Sequence, residues 1–186
     1  LAYKMFVTAN GRGTPLNNFD VFRGLVLSRN RIMEFGDEIE LQYVLDETDS
    51  ILQELFDRKG IDTGKEIDKL MSQALTAYLT KKVSPHHVLS KLEHSISKFT
   101  TRKELDELVQ YFDDYVTEYR DVLAQKGKIG RVAQLRLKSI GFSQHQQYYI
   151  AARVYWGKKE LNVAHLVKIW ENAVMRCLVL GDEGGM

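Results

Sequence analysis

Residues 126–180 bring together the side chains best suited to hold a polyanion. This stretch carries ten basic residues against only Glu160 and Glu171, whereas residues 37–125 carry nineteen acidic and eleven basic ones. The net charge of +1 therefore hides an acidic body followed by a basic module. A clustered positive field attracts phosphate at long range and in a salt-dependent way. Within it lies the run Gln144-His145-Gln146-Gln147-Tyr148-Tyr149, with Tyr155, Trp156 and Trp170 beyond. Aromatic rings set among lysines and arginines can stack on unpaired bases while the cations meet the backbone. Arg131, Arg136, Lys138, Gln144, His145, Gln147, Tyr148, Arg153, Lys158 and Lys159 are the candidate nucleic-acid-binding residues. Adjacent helical residues cannot both face inward, so one of Tyr148 and Tyr149 is expected to be exposed or at an interface. The competing expectation is that the basic module neutralises the acidic body, within one chain or between subunits.

Residues 131–156 read as helix, Ile140-Gly141-Phe142-Ser143, helix, which resembles a helix-turn-helix: glycine makes the tight turn and serine caps the second helix. In that resemblance the glutamines would face base edges. Leu137 stands where the motif has a small residue, and Gln147 where it has a buried aliphatic one. A plain helical hairpin fits these two positions better. A second short stretch, Ile32-Met33-Glu34-Phe35-Gly36-Asp37-Glu38-Ile39, resembles the helical segment by which some apoptotic regulators enter a partner's groove. The preceding anchor position holds polar Ser28, and a glycine break followed by Asp37 capping the next helix accounts for the same residues.

Other reactive side chains lack the spacing that chemistry requires. His86, His87 and His94 form neither a Glu-x-x-His pair nor a His-Glu-x-x-His motif and read as surface or capping residues. Asp113-Asp114 and Glu104-Asp106-Glu107 read as solvated helix faces and lack the pattern of a calcium loop. Gly11-Arg12-Gly13 is too short to cradle phosphate, and no Gly-x-Ser-x-Gly elbow occurs. Cys177, the one cysteine, sits in an apolar helical pattern. It cannot form an internal disulfide or a multi-cysteine zinc site, which points to a reducing, intracellular compartment, most simply the cytoplasm. No catalytic residue, metal or cofactor is predicted.

Apolar residues recurring at three and four place these side chains on helices. Phe19, Phe22, Leu25 and Val26 mark a first helix capped by Asn17 or Asn18. Ile39, Val44, Leu45, Ile51, Leu52, Leu55 and Phe56 mark a second, ended by Gly60. Residues 64–82 form a third, on a stripe that includes Ile67, Leu70, Met71 and Tyr78. Ser84 and Pro85 open a fourth. Thr101-Arg102-Lys103-Glu104 is a capping box, and behind it Leu105, Leu108, Val109, Phe112, Val116, Tyr119 and Leu123 draw the clearest stripe of the chain. A sixth helix ends at Gly141, residues 143–156 form a seventh, and Asn162 caps a last one through Trp170 and Cys177.

The expected fold is all-α: an irregular bundle of seven to eight helices with a short extended N-terminal arm over residues 1–18 and a possible strand at Ala2–Val7. The acidic body spans 19–125, the basic module 126–180, and a frayed tail 181–186. With 186 residues, 44% hydrophobic and 27% charged, the chain can bury its own core. No run is long enough for a membrane helix, and no membrane partner is expected. The function expected is that of a non-enzymatic, self-associating binding protein whose basic module contacts nucleic acid, RNA or single strands in particular. The alternative is a protein-interaction or assembly module with no nucleic-acid ligand.

Overall fold

The structure is a computed structural model, and it describes residues 16–57, 60–124, 146–158, 165–166, 168–173 and 176. The expected N-terminal arm and strand, the sixth helix and its Gly141 turn, and the tail lie outside those residues. Among the described residues every regular element is helical, with no strand, so the fold is all-α. The chain divides into two compact units, residues 1–116 and 117–186. The division falls inside a helix, a little before the point at which the charge balance changes.

The first unit contains α1 (Asn18–Ile32), α2 (Ile39–Phe56), α3 (Thr63–Leu79), a 3-10 turn (Pro85–His87), α4 (Val88–Ile96) and most of α5 (Arg102–Leu123). Local chemistry sets the starts. Asn17 Oδ1 accepts from the Phe19 and Asp20 amides at 2.8 and 3.1 Å, and Asp20 returns a bond to the Asn17 amide at 3.0 Å, a reciprocal capping box. Asp37 Oδ1 accepts the Ile39 amide at 2.9 Å after the break at Gly36, whose φ is +110°. Glu104 Oε2 accepts the Thr100 and Thr101 amides, both at 2.9 Å, and opens α5.

One start differs from expectation. Ser84 makes no capping bond; its hydroxyl lies 2.9 Å from His87 Nδ1, and Pro85 begins a 3-10 turn that leads into α4. Two ends also deserve explanation. At the end of α1 the Phe35 amide donates to Asn30 O and the Glu34 amide to Arg31 O, with Glu34 at φ +51°. At the end of α3 the Lys81 amide donates to Thr76 O and the Thr80 amide to Ala77 O, with Thr80 at φ +51°. Both are Schellman closures in which a side-chain-bearing residue holds the left-handed position that glycine usually takes.

The core of the first unit is built from Phe19, Phe22, Leu45, Leu52, Ile67, Leu70, Met71, Leu75, Leu92, Leu105, Phe112 and Tyr115, all buried. The Phe22 and Phe112 rings sit 4.7 Å apart, joining α1 to α5. Polar side chains tie the helices at fixed points. Tyr111 donates to Ala74 O at 3.0 Å. Arg29 donates to Phe99 O, and Arg102 Nη1 donates to both Asn30 Oδ1 (3.1 Å) and Asp37 O (2.7 Å). Ser72 Oγ donates to Val83 O and Thr76 Oγ1 accepts the Val83 amide, so the buried end of the 80–84 loop has its backbone groups satisfied.

The second unit contains the last turns of α5, from Thr117, together with α6 (Gln146–Lys158) and further helical residues at 165–166, 168–173 and 176. Among its described residues the buried side chains include Val122, Tyr149, Ile150, Val154 and Leu166.

Candidate nucleic-acid interface

Helix α6 carries the described part of the candidate surface. Tyr149, Ile150 and Val154 point inward and are buried, and the Tyr149 ring lies 5.8 Å from that of Trp170. At 100° per residue their side of the helix lies opposite Tyr148 and Tyr155. Those two tyrosines are seven residues apart and 43% and 59% exposed. Ala151 and Ala152, half-buried, stand between them. The result is one helix face with two accessible phenol rings separated by methyl groups.

The expectation that one member of the Tyr148–Tyr149 pair is exposed holds: Tyr148 faces water and Tyr149 the core. Gln147 is half-buried one residue earlier. Lys158 closes α6, three residues after Tyr155. Arg131, Arg136, Lys138, Gln144, His145 and Lys159 lie outside the described residues, so of the ten candidates the structure places Gln147, Tyr148, Arg153 and Lys158 on one helix.

Arg153 is held differently from the tyrosines. Its Nε donates to Glu118 Oε2 at 2.6 Å, and its guanidinium carbon sits 5.8 Å from the Tyr149 ring centre. Burial works against its charge, but the bonds to Tyr149 and Glu118 outweigh that and push its pKa up. The side chain is thus a fixed cation neutralised inside its own unit, with little charge left to offer a phosphate. Trp156 stacks on exposed His165, the ring centres 6.2 Å apart.

Sequence periodicity missed a second exposed surface, at the junction of α1 and α2. Ile32, Ile39 and Tyr43 are 71%, 69% and 62% exposed. Ile39 belongs to the expected stripe of the second helix, but at 100° per residue it lies with Tyr43 on the side of α2 opposite the buried Leu41, Leu45 and Leu52. An open cleft of about 500 Å³ beside it is lined by Asn30, Arg31, Glu34, Gly36, Asp37 and Glu38. Asn30 is buried at its floor with both amide atoms bonded, to Gly36 O and Arg102 Nη1. Arg31 forms a two-pronged pair with Glu38 across its mouth, at 2.6 and 2.8 Å. The available signal in the sequence was the absence of any basic residue over residues 37–57, which marks the solvent side of α2 as a single-sign face.

His86, His87 and His94 are all exposed. Among the described residues no group of three or more histidine, cysteine or carboxylate side chains is placed to hold a metal ion, and no helix is long and apolar enough to cross a membrane. No family model, no curated protein and no solved structure matches the chain.

Proposed function

We propose that this chain is a non-enzymatic helical binding protein that contacts single-stranded nucleic acid, RNA foremost, through the outer face of α6. The observation that carries the reading is the exposure of Tyr148 and Tyr155 on one face of a helix in the basic 126–180 segment. Solvent-facing aromatic rings give a sequence-tolerant stacking platform, and the surrounding cations supply the backbone attraction. Each stacked ring is worth about 1–3 kcal/mol to such a complex.

The test is a fluorescence-anisotropy titration of a labelled single-stranded RNA at two salt concentrations. Affinity should fall at the higher salt. The pair Tyr148→Ala and Tyr155→Ala should weaken binding at both salts. Charge reversal of Lys158 and Lys159 should weaken binding across sequences and flatten the salt dependence. RNA affinity that none of these changes moves overturns the reading.

The Arg153–Glu118 pair favours a second reading, an assembly module, because it joins a basic side chain of the segment to a carboxylate rather than leaving it for phosphate. If the reversals leave RNA affinity untouched but change the sedimentation coefficient, assembly replaces nucleic-acid binding.

A further inference from the structure

Two exposed helix faces of this chain are chemically complementary. The first is the outer side of α2. Residues 37–57 hold eight acidic and no basic side chains, and this negative surface carries the exposed anchors Ile39 and Tyr43, one turn apart. Some of its carboxylates are already engaged: Asp46 pairs with Arg23, Glu38 with Arg31, and Glu47 accepts the Tyr43 hydroxyl. Glu40 and Glu54 are exposed on the same helix. The second face lies on the helical residues near the end of the chain. Lys168, Ile169, Asn172, Ala173 and Arg176 are all exposed there, with Ile169, Asn172, Ala173 and Arg176 at helical spacing on one side. Ile169 is 46% exposed, and Lys168 and Arg176 give this side positive charge.

We infer that these faces are the two halves of a head-to-tail contact, in which the Lys168–Ile169–Arg176 face of one copy of this chain docks on the Ile39–Tyr43 face of α2 of a second copy. Charge decides the geometry. A two-fold contact that set α2 against α2 would oppose like charges, which costs several kcal/mol at an interface. A heterologous contact instead sets carboxylates against cations around two apolar anchors. The anchors matter because exposed ion pairs alone contribute little, whereas buried apolar side chains carry most interface energy. Each copy would keep one face of each kind free, so association continues into a ring or an open chain. This inference names the self-association partner and surface; it stands independently of nucleic-acid binding at α6.

The experiment is sedimentation velocity on the full chain over a wide concentration range at low and high salt. Two double variants are compared with the parent: Ile39→Lys with Glu40→Lys, and Lys168→Glu with Ile169→Glu. All four positions are exposed, and helical circular dichroism with an unchanged melt verifies that each variant folds. The parent should show a concentration-dependent rise in sedimentation coefficient that salt weakens. Each variant alone should associate at least about tenfold more weakly. Mixed together they should form a species that stops at two copies: the unaltered terminal face of the α2 variant docks on the unaltered α2 face of the terminal variant, while the altered faces, stripped of their isoleucine anchors, do not extend it. A parent that stays monomeric throughout, a loss confined to one variant, or a mixture that does not pair overturns the inference. Failure of this inference and failure of the RNA reading are distinguishable: the Tyr148→Ala, Tyr155→Ala variant leaves both docking faces unaltered, so its sedimentation in the absence of RNA reports on this contact alone.

Discussion

Thr80 and Glu34 place side chains where a left-handed backbone usually excludes them. A residue with a Cβ in that region costs roughly 1–2 kcal/mol, and a β-branched one is the least suited to it. Thr80 is exposed and its amide closes α3 through Ala77 O, a bond glycine would keep. Thr80→Gly should therefore raise stability by about 0.5–1 kcal/mol, the relieved strain partly offset by glycine's greater freedom in the unfolded chain. An unchanged or lower urea midpoint would show that the strain is absorbed elsewhere. Asp68 presents the opposite case, a side chain that helps locally and suffers from its surroundings. Its Oδ1 accepts the Asn18 amide at 2.6 Å, yet burial raises its pKa, and the nearby Asp62 and Asp20 charges add to the rise. Burial also raises the pKa of Asp20. With both folded pKa values above the unfolded ones, the folded state binds more protons in between. Their contribution is complete below the ordinary aspartate range and is lost as pH rises through the raised values. Glu38 and Glu104, lowered by the Arg31 side chain and by the Thr100 amide respectively, act in the other sense and lose their contribution as pH falls. Asp68→Asn keeps an oxygen for the Asn18 amide and removes the penalised charge. It should melt higher than the parent at pH 7, with the gap closing as pH falls through the aspartate range. A gap that stays constant with pH would mean the carboxylate's charge is not what burial penalises.

At the level of the helix, α5 shows what periodicity can reveal and where it stops. Leu105, Leu108, Val109, Phe112 and Val116 were all legible from three-and-four spacing and are buried. The same stripe extrapolated to Leu123 fails, because Leu123 is 44% exposed. Tyr115, wholly buried, stands at the edge of the same stripe, seven residues after Leu108, but its hydroxyl let it pass as a boundary residue; its ring lies 6.0 Å from that of Tyr111. Tyr111 in turn is polar enough to read as a surface residue, but burial raises its pKa and its hydroxyl is bonded to Ala74 O. Caps at Asn17 and Thr101–Glu104 were legible because they depend on neighbours three residues apart, whereas the exposure of Ile39 depends on which side of α2 the other helices cover. At the candidate site the exposure of Tyr148 followed from helical geometry alone, and the Arg153–Glu118 pair did not, because it joins residues 35 apart in the chain. Phe112 tests the stripe itself. Its ring contacts those of Phe22 and Tyr111 at 4.7 and 5.7 Å and has no exposure. Phe112→Ala should cost about 3–5 kcal/mol in urea unfolding. A loss near zero would place the ring at a site able to collapse around the gap.

On the scale of the molecule, charge and packing divide the chain at nearly the same place. The acidic balance of residues 37–125 ends close to where the first compact unit gives way to the second, and α5 runs across the division. The core of the first unit, from Phe19 to Tyr115, is drawn from α1 to α5 and includes twelve large side chains with almost no exposure. Burial of a full-sized leucine or phenylalanine contributes about 1.5–3 kcal/mol, and all twelve of these side chains precede the division between the units. A fragment of residues 1–124 should accordingly fold alone, with a helical circular dichroism spectrum and one cooperative thermal transition. It retains the acidic body and lacks every basic residue of 126–180. It also lacks both exposed tyrosines of α6 and the Lys168–Ile169–Arg176 face. Two further outcomes follow from the same cut. The fragment should not bind single-stranded RNA at a salt concentration where the full chain does, and by itself it should remain monomeric, because an α2 face has no complementary face to meet. Added to the full chain, it should cap the growing assembly and lower its sedimentation coefficient in proportion to the fragment supplied. A fragment that melts without cooperativity would show that the second unit completes the core of the first. A folded fragment that binds RNA as tightly as the full chain would move the nucleic-acid surface off α6.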